Sequence, residues 1–453
     1  MSTLSAAPLR QKFVMRYAER NVPRYTSYPT AADFHNRITP EDHQNRLRNI
    51  APKSRVSVYL HVPFCRQLCH YCGCHTRVVQ RQDVIDAYGA TLLKEIYTVG
   101  RYIPHNLTIG HLSWGGGTPS ILGLNGMAEI VKALQNHFNF ADYISHAVEL
   151  DPRYLDTTFC QGLFDLGVNR ASLGVQDFNL HIQEAIGRIQ PFQQVEQATK
   201  DLRVAGIRQV NFDLLYGLPG QNLEEIRFNC EKIAQLSPDR IACFGYAHLP
   251  ERKANQKLIN SAALPDAQAR FEQAQLISTL LQDQGYYPIG IDHFAKKQDL
   301  LRVAADNQTL SRNFQGYTTD NEPVLIGIGA SAISTFSDAY IQNIADISTY
   351  SEAIKDKGLA STRGITISLE DQCRSKIISA LMCNFSVDLS EMASDLNLES
   401  EWHDLVQLQE EGLVSLDGQK IVLTQEGRPF VRIVAAVFDT YRRKKNTGFS
   451  RAI

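Results

Sequence analysis

Four cysteines stand within ten residues, Cys65, Cys69, Cys72 and Cys74, in the segment HVPFCRQLCHYCGC. Soft thiolates so close together suit a structural zinc, a disulfide or an iron–sulfur centre. A zinc site normally closes its tetrahedron with two Cys or His pairs from separated loops, and no second pair stands at a suitable distance. Disulfides do not suit a chain with an odd total of nine cysteines and no secretory features. The C-x3-C-x2-C spacing of the first three instead lets one loop hold three irons of a 4Fe–4S cluster and leaves the fourth iron open. An open iron is a place to bind and reduce a small molecule. The other five cysteines, Cys160, Cys230, Cys243, Cys373 and Cys383, are scattered, mostly among apolar neighbours, and read as core.

Such a loop needs a rigid base. It follows a short apolar run at 56–62, the first of six; the others are 107–114, 146–150, 170–175, 209–215 and 241–246. Stretches with helical spacing, for example 83–98, 124–138, 193–205 and 222–236, separate them, and this alternation predicts parallel β/α units. Near the C-terminal end of each run stands a polar or glycine position: His61, Gly115 to Gly117, Glu149, Gln176, Asp213 and His248. In a parallel barrel these ends converge on one mouth, although any single one could be a helix cap. The glycines of WGGGTPS at 114–120 let main-chain amides approach a ligand without Cβ interference.

The first 50 residues are polar and turn-rich and read as an arm. An amphipathic helix is expected at 265–285 and a glycine-punctuated strand and turn at 324–336. A composition change near 360–368 opens a terminal part with helices at 369–384, 388–396 and 400–411. A hairpin at 413–424 turns at Asp417-Gly418, which together suggests a winged-helix-like shape. The expected division is therefore an arm at 1–50, a barrel with its extension at 51–362, and a mainly helical domain at 363–453. The 46 basic and 48 acidic side chains nearly cancel, so neither nucleic acid nor an anionic membrane is the expected partner. The basic run YRRKK at 441–445 reads as a solvated tail. No secretory signal or apolar stretch of membrane-spanning length is visible, so a soluble, cytoplasmic protein is expected.

The cysteine motif resembles that of the radical S-adenosylmethionine (SAM) superfamily, with Tyr71 as the aromatic residue before the third cysteine. Across nearly the whole chain further segments are similar to the oxygen-independent coproporphyrinogen III oxidase family. They are PRYTSYPTA at 23–31, YLHVPFC at 59–65, CGC at 72–74, WGGGTP at 114–119, SLGVQDF at 172–178, NFDLLYGLPGQ at 211–221, RNFQGYTT at 312–319 and the closing FSRAI. The resemblance implies an α/β fold, a partial (β/α)6 TIM-like barrel with the arm and C-terminal domain named above. It implies one 4Fe–4S cluster and two SAM molecules. The 5′-deoxyadenosyl radicals so generated would abstract hydrogen from propionate side chains, turning coproporphyrinogen III into protoporphyrinogen IX. A flavodoxin or ferredoxin as electron donor and a monomeric state are expected as well.

Carried over by position, the resemblance gives Cys65, Cys69 and Cys72 as cluster ligands. Tyr59, Gly116, Glu149 and Ile333 match contacts to the SAM on the cluster; Tyr71, Gly117, Thr118, Gln176, Arg188, Asp213 and Ala247 match contacts to the second. Tyr59, His61 and Cys74 are the candidates for a tuning or catalytic part beside the cluster. Arg24, Arg312 and His248 are candidate cations for the propionates. Rival readings are a haem chaperone of the same fold, a haem-opening radical SAM methyltransferase and a winged-helix regulator. The chaperones usually lack the fourth cysteine, the YTSYPT arm and RNFQGYTT, all present here, and a regulator would leave the barrel mouth unexplained.

Overall fold

A computed structural model describes residues 12–14, 16–392, 396–442 and 452. All six apolar runs become parallel strands: β1 (Arg55–Val62), β2 (Thr108–Gly116), β3 (Asn139–Leu150), β4 (Arg170–Gln176), β5 (Gln209–Tyr216) and β6 (Arg240–Gly245). The sheet continues past β6 with β7 (Tyr286–Ile289) and β8 (His293–Lys296), the latter antiparallel to β6. On its other side β9 (Leu325–Ile328) lies parallel to β1, followed by antiparallel β10 (Ile333–Phe336), β11 (Ala339–Asn343) and β12 (Ser361–Thr366). The order is β12-β11-β10-β9-β1-β2-β3-β4-β5-β6-β8-β7; its two ends, β12 and β7, do not pair with each other, which makes the barrel partial, and His35 bridges Gly364 on the outer side of β12.

Parallel strands covered on both faces normally read as continuous apolar runs. Here β4 and β5 alternate instead: Leu173 and Phe212 are buried away from a cavity, whereas Ser172, Gly174, Asn211 and Asp213 line it on the other face. Polar side chains at every second position of these parallel strands therefore mark a hollow interior.

The helix Gln82–Tyr102 covers β1 with Ile85, Tyr88, Leu92, Ile96 and Val99, at the three- and four-residue spacing that forms one face. Burying each fully contributes about 1.5–3 kcal/mol. The same helix carries a fully buried carboxylate, Glu95, which accepts from Gly329 N at 2.8 Å, Asn343 Nδ2 at 2.7 Å and the Tyr350 hydroxyl. About two helical turns earlier, the Tyr88 hydroxyl donates to His61 O at 2.8 Å and accepts from Ala330 N at 2.9 Å. This network ties the helix to the turn after β9 and to the end of β1 where the cysteine loop starts.

The helix Thr157–Asp165 fills the stretch between β3 and β4, in line with the expected alternation, and Asp156 caps it by accepting from Phe159 N at 2.7 Å. The helices Ala267–Asp283, Leu369–Asn384 and Glu399–Glu411 form where expected. Of the helix expected at 388–396, Leu389–Met392 is helical and 393–395 lies outside the described residues. The terminal hairpin pairs Asp417 with Lys420, so its loop is Gly418–Gln419, one residue later than expected, with Gly418 at φ 57°. A third strand, Ser386–Asp388, completes a small antiparallel sheet.

The segment expected as an arm is largely packed. Phe13, Tyr17, Val22, Tyr25 and Tyr28 are buried in one core with Leu405, Phe430 and Val431 of the C-terminal segment. Tyr25 Oη donates to Asp439 Oδ2 at 3.0 Å, and Arg432 donates to the carbonyls of Pro23 and Val22. The helix Pro40–Arg48 joins the barrel core instead, through Leu47 and a 2.7 Å contact of His43 Nδ1 with Ser361 Oγ. Residues 443–445 of the basic run, and FSRAI apart from Ala452, lie outside the described residues.

Candidate active site

The C-terminal ends of the strands surround a cavity of about 830 Å³. Cys65, Cys69, Cys72 and Cys74 all face it, on a loop that leaves β1 and packs beside the glycines ending β2. Gly117 N donates to Val62 O at 2.9 Å and Thr118 N to Phe64 O at 2.7 Å, which locks the loop to those glycines. A Cβ on Gly117 would lie 2.4 Å from Phe64 O, and one on Gly116, at φ 111°, would lie 2.7 Å from the His61 ring. Both positions need glycine for close approach.

The cysteine loop is held from outside by a segment with no sequence signal. Asn255 Nδ2 lies 3.2 Å from Cys69 O, 3.0 Å from His70 O and 3.0 Å from Cys72 O. Gln256 Nε2 donates to Tyr71 O at 2.9 Å and Lys253 Nζ to Cys74 O at 3.0 Å. Side-chain donors thus occupy the outward carbonyls of the loop and leave its sulfurs facing the cavity.

Cys65 Sγ meets Thr76 Oγ1 at 3.3 Å and Thr118 Oγ1 at 3.5 Å, and burial raises its pKa. Cys72 and Cys74 share a hydrogen bond that pulls Cys72 down and pushes Cys74 up, with Lys253 and Arg188 also favouring the Cys72 thiolate. Among the described residues no group of Cys, His, Asp or Glu converges closely enough for a single metal ion.

Arg188 is buried beside them. Its Nη1 lies 3.4 Å from Cys69 Sγ and 3.2 Å from Asp151 Oδ2, and its Nη2 donates to Gly174 O at 2.8 Å. Burial opposes its charge, but Tyr71, Asp151 and Cys69 outweigh that and hold it protonated. Its Nε is buried and has no partner among the described residues, an open donor of the kind a bound carboxylate would take. Asp151 is fixed in turn by Arg153 at 2.7 Å. Neither Asp151 nor the Lys253–Gln256 segment was foreseen; the only signal was the polarity of Asp151 one residue past β3.

Glu149 and Asp213 face the same space from β3 and β5. Asp213 accepts from Ser172 Oγ and Asn211 Nδ2, each at 2.8 Å, and burial raises its pKa. Glu149 is open to the cavity; its enclosure within the barrel and the nearby Asp213 raise its pKa to about 7, and it accepts from Gly116 N at 3.2 Å. Gln176 takes φ 69° at a bulge between β4 and β5, a costly backbone for a non-glycine residue that directs it into the mouth. Tyr59, Tyr71, Gly116, Gly117, Thr118 and Ala247 also line the cavity.

Two expected residues stand behind the lining. His61 is buried: its Nε2 donates to His75 O at 3.2 Å, so its Nδ1 accepts from the Tyr59 hydroxyl at 3.1 Å. Burial lowers its pKa to about 4, which keeps that ring neutral. Ile333 starts β10, paired with Gln342 of β11, and its side chain is not part of the lining. Of the candidate propionate cations, Arg24 lines the cavity, with Nη2 donating to Gly245 O at 3.2 Å. Arg312 lies behind it, its Nη2 donating to Arg24 O at 3.2 Å. His248 is held by Tyr246 and Ser261, each at 2.9 Å.

Residues 59–233 match the radical SAM superfamily and residues 367–430 the HemN C-terminal domain. An oxygen-independent coproporphyrinogen III oxidase of Bradyrhizobium diazoefficiens is 42% identical over 98% of this chain and 100% of its own. One of Pseudomonas aeruginosa is 36% identical over 97% and 98%. Among solved structures, coproporphyrinogen III oxidase (HemN) from Escherichia coli, described as a radical SAM enzyme, superposes with a TM-score of 0.89 at 36% identity. That match covers 92% of this chain and 97% of the other.

Proposed function

Because the chain belongs to the oxygen-independent coproporphyrinogen III oxidase family of the radical SAM superfamily, we propose that its first cavity holds one 4Fe–4S cluster and two SAM molecules side by side. The protein is an oxidoreductase of haem biosynthesis: it decarboxylates coproporphyrinogen III oxidatively, without oxygen, to protoporphyrinogen IX. The haem-chaperone and haem-opening alternatives are not favoured, since the full-length relatives are named as oxidases. When bound, cluster and SAM supply a one-electron reduction that yields a 5′-deoxyadenosyl radical able to take hydrogen from an unactivated carbon.

The chain's own residues bind, orient and exclude water. In our reading Cys65, Cys69 and Cys72 hold three irons, and Asn255, Gln256 and Lys253 keep their loop in place. Tyr59, Gly116, Glu149 and Ile333 serve the SAM on the cluster, Ile333 through its backbone at the start of β10. Glu149 accepts hydrogen bonds from amino or hydroxyl groups there. Tyr71, Gly117, Thr118, Gln176, Arg188, Asp213 and Ala247 serve the second SAM, with the free Nε of Arg188 directed at its carboxylate. Neutral His61 fixes the hydroxyl hydrogen of Tyr59, which leaves the Tyr59 oxygen as an acceptor towards the cavity. Cys74, beside Cys72, tunes the cluster's surroundings without ligating it. The barrel segment 51–362 carries this chemistry, and segments 1–50 and 363–453 cap it together, a reading their shared core supports.

A small ferredoxin or flavodoxin is the proposed electron donor, and the cytoplasm the proposed compartment, with the monomer as the working unit. Among the described residues no helix is long and apolar enough to cross a membrane. The observation that carries the two-SAM reading is the joint lining of one cavity by both residue sets, Ile333 apart. Reconstituted protein given reductant, SAM and coproporphyrinogen III under anaerobic conditions should release carbon dioxide and protoporphyrinogen IX. Equilibrium dialysis with labelled SAM should find two molecules per chain in the wild type and one in Gln176→Ala; one in both would refute the second site.

A further inference from the structure

A second cavity, of about 900 Å³, adjoins the first and opens on it at Arg24, the 245–247 segment and His293, which line both. Its volume lies at the upper end of the roughly 300–1,000 Å³ usual for small-molecule sites. One wall is the helix Ala267–Asp283, with Arg270; another comes from the C-terminal segment, with Arg428 and Arg432.

The lining is strongly cationic in a chain whose total charge nearly cancels. Five arginines face the space against two carboxylates, Glu251 and Asp292. Asp292 is already engaged by His293 Nδ1 at 2.7 Å. Burial together with Arg24 and Arg312 depresses the buried guanidinium of Arg432 to about 9, the mark of like charges crowded in a poorly solvated place. Two of the five are placed to meet a ligand. Arg24 sits at the junction of the cavities, 5.6 Å over the Phe244 ring, and uses one N–H on Gly245 O. Arg428 stands on the wall from the C-terminal segment, exposed, 5.1 Å over the Phe385 ring. Neither forms an ion pair with a carboxylate among the described residues.

A hollow of this size with excess arginine fits a bulky polyanion whose charges are carboxylates at its rim, since guanidinium pairs with carboxylate through two parallel hydrogen bonds. We propose that this second cavity seats the tetracarboxylate substrate, Arg24 and Arg428 each binding a propionate, while the propionate to be oxidised reaches through the junction into the first cavity. This gives the C-terminal segment a direct part in substrate recognition, and it rests on the functional reading above.

The test uses the full-length, cluster-loaded protein. Arg428→Ala should raise KM for coproporphyrinogen III at least tenfold with little change in kcat, and Arg428→Lys should recover most of it. Cluster absorption and SAM binding should stay at wild-type values. In parallel, fluorescence titration with coproporphyrin III, the stable oxidised tetra-acid, should show the same weakening, whereas its tetramethyl ester should bind both proteins alike. An Arg428→Ala protein with KM and porphyrin affinity within twofold of wild type, or with altered cluster content and unchanged KM, overturns the proposal. A wild type that binds coproporphyrin III through Arg428 but never decarboxylates coproporphyrinogen III would overturn the functional reading and leave the cavity assignment standing.

Discussion

Asn255 donates its side-chain amide to the carbonyl of Cys72 at 3.0 Å, and the same nitrogen is within 3.2 Å of the carbonyls of His70 and Cys69. An amide nitrogen carries two hydrogens, so at least one is shared between acceptors. Asn255→Ala leaves those carbonyls to water and frees the loop to wander. At about 0.5–1.5 kcal/mol for each hydrogen bond lost, the fold should survive while the loop loosens. The expected outcome is unchanged far-ultraviolet dichroism and several-fold faster loss of iron to a chelator; iron retention equal to wild type would contradict the clamp.

Gly117→Ala presses a methyl group against the Phe64 carbonyl, which is backbone and cannot rotate away. The strand end and the loop must separate, which disturbs Cys65 and the cavity wall together. SAM affinity should fall at least tenfold by equilibrium dialysis, more than in Gly126→Ala, where the nearest atom to a new Cβ is 3.5 Å away.

Serine at Cys65, Cys69 or Cys72 should abolish the thiolate-to-iron absorption near roughly 400 nm. Cys74→Ser should keep that absorption and lower turnover. Retention of the band in any of the first three, or its loss in Cys74→Ser, would redraw the ligand set.

Glu95 supplies a pH signature far from the chemistry. Burial raises its pKa from 4.5 to about 7, against the hydrogen bonds from Tyr350, Gly329 and Asn343. Between those two values the unfolded chain has released the proton that the native state still holds. The native protein therefore loses stability as pH rises through that window, by at most about 1.4 kcal/mol per pH unit. Above it both states are ionised and the loss is constant. Glu149, raised over the same range, adds a slope of the same sign; Glu95→Gln removes only the share of Glu95 and sets an amide N–H against donors that now point at a carboxylate, so the variant should be less stable overall and flatter with pH. Denaturant melts across pH 4.5 to 7 read both effects; an unchanged slope would mean that Glu95 is not the group responsible.

Much of this architecture could be read from the chain. The cysteine spacing and the alternation of Ser172, Gly174, Asn211 and Asp213 with buried apolar residues are local patterns that geometry turns directly into a loop of thiols and a hollow barrel. Asn255, Gln256 and Lys253 were invisible for the opposite reason. They contact main-chain carbonyls about 180 residues away, and a carbonyl leaves no trace in residue type. The packing of Phe13 and Tyr17 against Phe430 escaped notice because apolar residues in a short, turn-rich stretch carry no period to show what they cover. Ile333 rests on likeness alone, and at the start of β10 it does not line the cavity.

The most direct test of the central claim follows a hydrogen. Coproporphyrinogen III deuterated in its propionate side chains is incubated anaerobically with the reconstituted protein, SAM and reductant, and 5′-deoxyadenosine is analysed by mass spectrometry. Deuterium in that product, accompanied by release of carbon dioxide, is the predicted result. Unlabelled 5′-deoxyadenosine formed while carbon dioxide is released would contradict hydrogen abstraction from the propionates.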